Sequence, residues 1–196
     1  MTALAHSIGS RKTRTAAIAS DLMLIVGGAA FIWLMTQVKI SLLPFSPVPI
    51  TGQTLAVLTV GGALGALRGG TTILLYIALA VAGLPHASAT GETGIGLFYA
   101  SSPTGGYLLG WLLAAVIIGF LCERGWDRSL GSSIGAMLLG SIAIYLVGVP
   151  WLAHAVGLSA PVALEKGLYP FIIGDLIKLL VAAGLLPVAW RFVKKT

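Results

Sequence analysis

The chain has 196 residues, 57% of them hydrophobic and only 9% charged. A soluble domain carries about 25% charged residues, so this composition excludes a separate soluble domain and reads as one integral membrane domain over residues 1–196. The formal charge of +6 raises nucleic acid as a partner, but the placement of the basic residues answers to membrane topology instead, and a lone Cys122 excludes an internal disulfide or a cysteine metal cluster.

Residues 1–14, with Arg11, Lys12 and Arg14, read as a cytoplasmic tail. The apolar run from Ala16 to Met35 is too long for the core of a secretory signal, and no convincing cleavage site follows it. It is read as a retained first helix, about 15–38. Ala16 and Ser20 have the small-xxx-small spacing that lets helices approach closely.

The next stretch, Lys39 to Thr51, holds Pro44, Pro47 and Pro49, which forbid a regular helix. It is still apolar, and irregular apolar backbone beside a membrane must be buried in protein or line a cavity. The second helix, about 52–67, is short for a full crossing of ~20 residues. Gln53 at its start either points into the same cavity or satisfies the helix start. A tight Gly-Ala-Leu-Arg-Gly-Gly turn leads to a third helix, about 69–83. A Gly-rich loop from His86 to Thr104 carries the apolar insert Ile95-Gly96-Leu97-Phe98-Tyr99; loops of this length in a compact chain are usually functional or disordered, and the embedded aromatics favour an ordered lid.

The fourth helix is placed at about 104–122. Thr104 suits its N-cap, Gly105 and Gly106 allow backbone to approach a ligand, and Tyr107 suits a pocket or a membrane interface. The loop Glu123 to Arg128 is charged. The fifth helix spans about 130–149, Trp151 reads as an interface anchor, and 154–167 is a loop or a short surface helix. The sixth helix runs over about 168–190.

Six helices put both termini on one side. Arg11, Lys12, Arg14, Arg68, Arg124, Arg128, Arg191, Lys194 and Lys195 fall on that side, Lys39 and Lys166 on the other. The positive-inside rule therefore makes both termini cytoplasmic. The three long loops then lie outside, and Asp175 lies about 9 Å below that face at 1.5 Å per residue.

Asp175 and Lys178 are the informative residues. They are three apart, hence on one helical face, within an otherwise apolar span. Each costs roughly 2.5–3.5 kcal/mol at a bilayer centre and survives by facing the bundle, pairing, or binding something polar. One reading is a structural ion pair. The other is a substrate site, with Lys178 holding an anionic group and Asp175 accepting from N–H donors. No HExxH, CxxC, GxSxG or GxxxxGK[ST] motif occurs, so no catalytic or metal residue is assigned, no cofactor is called for, and ATP hydrolysis would have to come from partner subunits.

Four segments in register, Ser46-Pro47-Val48-Pro49-Ile50-Thr51-Gly52-Gln53-Thr54-Leu55, Gly83-Leu84-Pro85, Pro103-Thr104-Gly105-Gly106-Tyr107-Leu108-Leu109-Gly110 and Gly174-Asp175-Leu176-Ile177-Lys178, resemble the BioY family, the biotin-binding S components of energy-coupling-factor (ECF) transporters. The resemblance runs from about Pro47 to Pro187. It implies an all-α membrane protein, a six-transmembrane-helix bundle of the ECF S-component type in the cytoplasmic membrane, with biotin as substrate. It also implies partners: a membrane scaffold subunit, met by Ala16 and Ser20, and two ATP-binding subunits. Asp175, Lys178, Gln53, Thr104, Gly106 and Tyr107 would then form the substrate site. Lys178 could take the biotin carboxylate and Asp175 the ureido N–H groups, or Lys178 the ureido oxygen. Another vitamin as substrate, or a self-sufficient secondary carrier, are the alternatives.

Overall fold

Why an apolar chain with nine prolines still forms mostly helix is answered by where the prolines fall. In a computed structural model, which describes residues 4, 14–85, 87, 90–91, 94–98 and 102–193, three of the prolines lie between the first two helices. Helix α1 (Arg14–Thr36) is followed by a two-stranded antiparallel ribbon, β1 (Lys39–Ile40) with β2 (Ile50–Thr51), pairing Lys39 with Thr51 and Ile40 with Ile50. Then come α2 (Gln53–Val81), a 3₁₀ turn Gly94–Phe98, α3 (Gly105–Glu123), α4 (Leu130–Val156), the short α5 (Ala160–Gly167), a 3₁₀ turn Tyr169–Phe171 and α6 (Ile172–Val193). Five helical stretches among the described residues are long and apolar enough to cross a membrane, by length and composition. His86, Glu92, Tyr99, Arg11, Lys12, Lys194 and Lys195 lie outside the described residues.

Helix α2 is not straight. A straight helix would hold residues 53 and 76 about 34 Å apart, yet Gln53 Nε2 donates to the Tyr76 hydroxyl at 2.8 Å. The chain reverses at Gly65, whose φ of 85° and ψ of 177° are open to glycine and strained for other residues. The two antiparallel halves correspond to the second and third helices read from the sequence, but they meet at one residue, with no intervening loop. The reversal is tight because neighbouring helices press on it: a Cβ at Gly119 of α3 would lie 2.3 Å from Ala66 N, and one at Gly61 would lie 2.9 Å from Ala115 Cα. Small residues thus bring α2 and α3 into backbone contact, as membrane helices require when hydrophobic burial alone does not drive association.

Helix α4 starts at Ser129, whose hydroxyl accepts from Ser132 N–H, and runs through Pro150 to Gly157 in the left-handed region (φ 67°). The sequence reading stopped this helix at 149. Proline removes one backbone hydrogen bond, but neighbouring helices let membrane helices tolerate the loss. Residues 154–156 therefore extend α4, and α5 begins at Ala160. Ile118, Met137 and Leu186, from α3, α4 and α6, are fully buried at the bundle centre.

The two ends of the bundle differ. At one end Arg68 pairs with Asp21 at 2.7 Å, Glu123 accepts from Ala66 N–H at 2.9 Å, and Trp190 donates to Asp127. This end collects Arg68, Arg124, Arg128 and Arg191. The other end carries the ribbon, the 3₁₀ turns and α5. Helix α1 is loosely held: of its side chains only Ala29, Ile32 and Thr36 are buried, while Ile18, Leu22, Met23, Val26 and Leu34 are exposed. Ala16 and Ser20 are half-buried near its start.

Candidate functional site

The loop-covered end of the bundle holds a cavity of about 60 Å³, room for only a few waters. Its walls come from the ribbon loop (Val48, Pro49, Thr51), the start of α2 (Gln53, Thr54), Ala87, the start of α3 (Thr104, Tyr107, Trp111), and Phe171, Asp175 and Lys178. Five of the six substrate residues expected from the sequence therefore share one cavity.

The charged wall is built on the first turns of α6. Lys178 Nζ donates to Asp175 Oδ1 at 2.7 Å. The other carboxylate oxygen, Oδ2, accepts from the Tyr145 hydroxyl of α4. Both charged side chains are largely withdrawn from solvent, at 15% and 11% exposure. An ammonium has three donors and no acceptor, and the protein occupies one of them. The carboxylate has lone pairs remaining on each oxygen. The pair thus offers an adjacent donor and acceptor to one polar group of a ligand.

The opposite wall is held by an uncharged network. Thr51 Oγ1 accepts from Gln53 N–H at 3.3 Å and donates to Gln53 Oε1 at 3.2 Å. Gln53 Nε2 reaches Tyr76 at 2.8 Å and the Ala87 carbonyl at 3.3 Å. Tyr76 also donates to Ala87 O and meets Thr36 Oγ1 at 3.1 Å. Trp33 Nε1 donates to Pro85 O at 2.8 Å. Gln53 therefore both lines the cavity and ties α2 to the chain that follows it.

Tyr107 faces the cavity, and its hydroxyl donates to Gly167 O at 2.8 Å. Its ring meets Tyr145 edge-on, with centroids 6.3 Å apart. Gly148 lies beneath it; a Cβ there would come within 2.4 Å of the Tyr107 ring.

Two local expectations are corrected and a third is extended. Thr104 stands at the N-cap of α3 but its side chain makes no capping bond; its hydroxyl lies 3.5 Å from Ser102 Oγ and it lines the cavity instead. Gly106 does not line the cavity: a Cβ there would sit 2.1 Å from Trp151 Cβ, so its smallness serves helix packing. Trp151, read as an interface anchor, has a packing role as well: its ring covers Gly105 and Gly106 and its Nε1 donates to Ser102 O at 2.9 Å.

Tyr145, Trp111 and Phe171 were not singled out as site residues by their own chemistry. A signal existed for Tyr145: a phenol in the middle of an apolar helix needs a partner for its hydroxyl when buried.

The sequence model of the BioY family matches residues 7–195. The chain is 38% identical over 170 residues to the biotin transporter BioY of Rhizobium etli, covering 83% of this chain and 89% of that protein. It is 42% identical over 144 residues to the biotin transporter BioY of Rhodobacter capsulatus, covering 68% and 74%. A crystal structure of the S-component for biotin from an ECF-type ABC transporter superposes with a TM-score of 0.79 at 28% identity, covering 92% of this chain and 95% of that one.

Proposed function

The chain belongs to the BioY family, and from that membership and its cavity we propose that it captures biotin as the S component of an ECF-type transporter. It is a multi-pass membrane transport protein and not an enzyme. The observation that carries the reading is the Asp175–Lys178 pair on the wall of the cavity, joined at 2.7 Å within an apolar helix.

The closeness of the pair favours one of two ways of holding biotin. A cyclic urea presents a carbonyl flanked by N–H groups within one small ring. An ammonium and a carboxylate in mutual contact match that pattern: Lys178 donates to the ureido oxygen and Asp175 accepts from a ureido N–H. The ligand carboxylate lies at the far end of a flexible chain from that ring. It is left to uncharged donors such as Thr54 and Thr104. Tyr145 holds Oδ2 and fixes the carboxylate plane. Trp111, Tyr107 and Phe171 supply the apolar surface for the sulfur-containing ring.

The cavity of about 60 Å³ leaves room for only a few waters, and part of its wall is proposed to open when biotin enters. The ribbon loop 39–51 is the candidate lid, because it reaches the cavity through Val48, Pro49 and Thr51 while its Ile40, Leu43 and Phe45 are exposed.

The full architecture is a six-crossing bundle with both termini cytoplasmic and the cavity facing outward. The reversal at Gly65 supports six crossings, and the gathering of Arg68, Arg124, Arg128 and Arg191 at one end supports the orientation. The membrane is then the cytoplasmic one. A membrane scaffold subunit and two ATP-binding subunits would energise release. The start of α1, where Ala16 and Ser20 are half-buried beside the exposed Ile18 and Leu22, is the proposed contact with the scaffold.

Uptake of labelled biotin into cells carrying this chain with and without an ECF scaffold and its ATPases tests the reading. ATP-dependent uptake only in the complete set is expected. Uptake by the chain alone, driven by an ion gradient, would make it a secondary carrier.

A further inference from the structure

The basic end of the bundle holds a second cavity, remote from the biotin site. We infer that it is a binding site for the phosphate headgroup of an anionic phospholipid.

The cleft has a volume of about 330 Å³ and lies between the start of α4 and the end of α6. Arg128 enters from the loop before α4 and Arg191 from the last turn of α6. Among the described residues, neither guanidinium donates a hydrogen bond to a protein oxygen or forms an ion pair within 4.0 Å. Arg128 stacks on the Trp190 ring, 4.9 Å from its centroid. Stacking fixes the guanidinium plane and leaves its in-plane N–H groups for an acceptor, and the planar fork matches phosphate geometry. Asp127 does not line the cleft: it is fully buried, one of its oxygens accepts from Trp190 Nε1, and its attraction to the neighbouring Arg128 offsets only part of the positive charge that Arg128 and Arg191 bring together.

Apart from Ser129, the rest of the cleft is apolar. Leu130 and Val188 line it and are exposed at 55% and 47%, with Trp190, Gly184 and Pro187 beside them. A cationic mouth continuous with an apolar floor is the pattern of a phospholipid, whose charged headgroup is joined to a hydrocarbon chain. A free anion would use only the mouth, and an acidic peptide would leave Leu130 and Val188 uncovered. Basic pockets between membrane helices at the cytoplasmic side are where anionic headgroups bind. The occupant is therefore a lipid with a net negative phosphate group, in the leaflet at the basic end.

Native mass spectrometry of the purified chain, delipidated and offered a mixture of phosphatidylglycerol and phosphatidylcholine, reads the site without any vitamin. It is therefore independent of the biotin assignment. Preferential retention of phosphatidylglycerol is expected. It should weaken about fivefold in Arg191→Gln and roughly thirtyfold in Arg128→Gln/Arg191→Gln, at about one such factor per basic side chain. Arg191 is exposed, so the single variant retains its packing if the double one does not fold. Arg128→Lys/Arg191→Lys should keep most of the preference. Equal retention of the two lipids by the wild-type chain, or a preference unchanged in Arg191→Gln, would overturn the site. A thermal shift from inorganic phosphate in phosphatidylcholine alone, equal to that from phosphatidylglycerol, would overturn the lipid assignment in favour of a free anion.

Discussion

Lys178 and Asp175 stand one helical turn apart on α6 and are joined at 2.7 Å, so the only cation among the described residues lining the cavity is already paired with its only carboxylate. A pair in contact can serve one functional group of a ligand, not two groups at opposite ends.

The proposed pairing with the ureido ring makes a specific forecast for Lys178→Met. It should weaken biotin and biotin methyl ester by the same factor, at least about tenfold, since a hydrogen bond to a charged group contributes ~1.5–3 kcal/mol. If Lys178 instead holds the carboxylate, the ester binds poorly to the wild-type chain and the substitution affects it little. Asp175→Asn should weaken both ligands. Titration calorimetry of the four combinations decides.

Tyr145 positions the carboxylate and does not replace it. Tyr145→Phe removes one donor from Oδ2 and leaves the acceptor in place. Biotin affinity should fall less than in Asp175→Asn, and stability should drop by about 1 kcal/mol, the net contribution of one hydrogen bond. Affinity lost as fully as in Asp175→Asn would make Tyr145 a direct ligand contact.

Gly106 should matter through packing. Gly106→Ala places a methyl 2.1 Å from Trp151 Cβ, and overpacking of this kind costs ~1–3 kcal/mol. Gly27→Ala, with nothing within 4 Å of the added carbon, should be neutral or stabilising by about 0.5–1 kcal/mol. Thermal unfolding of the two variants in one detergent compares them directly.

How much of this was legible in the sequence depends on how unusual each residue is for its surroundings. Asp175 and Lys178 stood out because charge inside an apolar span is costly, and Gln53 and Thr104 because they are polar beside proline-rich, apolar backbone. Tyr145 did not, since a tyrosine in a membrane helix also suits an interface, and its partner lies 30 residues away. Gly106 and Trp151 were each given a local meaning, ligand approach and interface anchoring, because their contact with each other depends on how α3 crosses α4. The run of α4 through Pro150 was hidden for the same reason: proline breaks an isolated helix but not one supported by neighbours. The reversal at Gly65 was visible as a glycine-rich turn, while its tightness is set by Gly119 on another helix.

Asp127 should give the basic end a pH signature. It lies in the loop between α3 and α4, and burial pushes its carboxyl above its ordinary value of 3.8. The folded chain therefore binds more protons than the unfolded one between that value and the folded pKa. Stability contributed by this group is present at low pH and declines as pH rises through the folded pKa, with no further change above it. Asp127→Asn keeps an acceptor for Trp190 and should remove that decline, so the difference in unfolding temperature between variant and wild type should grow in the variant's favour as pH rises from 4 toward neutrality. A difference independent of pH would show that Asp127 is charged in both states.

The most direct test of the central claim is equilibrium binding of biotin to the purified chain in detergent, measured by calorimetry beside thiamine and riboflavin. Tight, saturable binding of biotin alone, lost in Asp175→Asn, is the expected result. Folded protein that binds no biotin, or binds all three vitamins alike, would contradict it and leave the Asp175–Lys178 pair as a structural lock within the bundle.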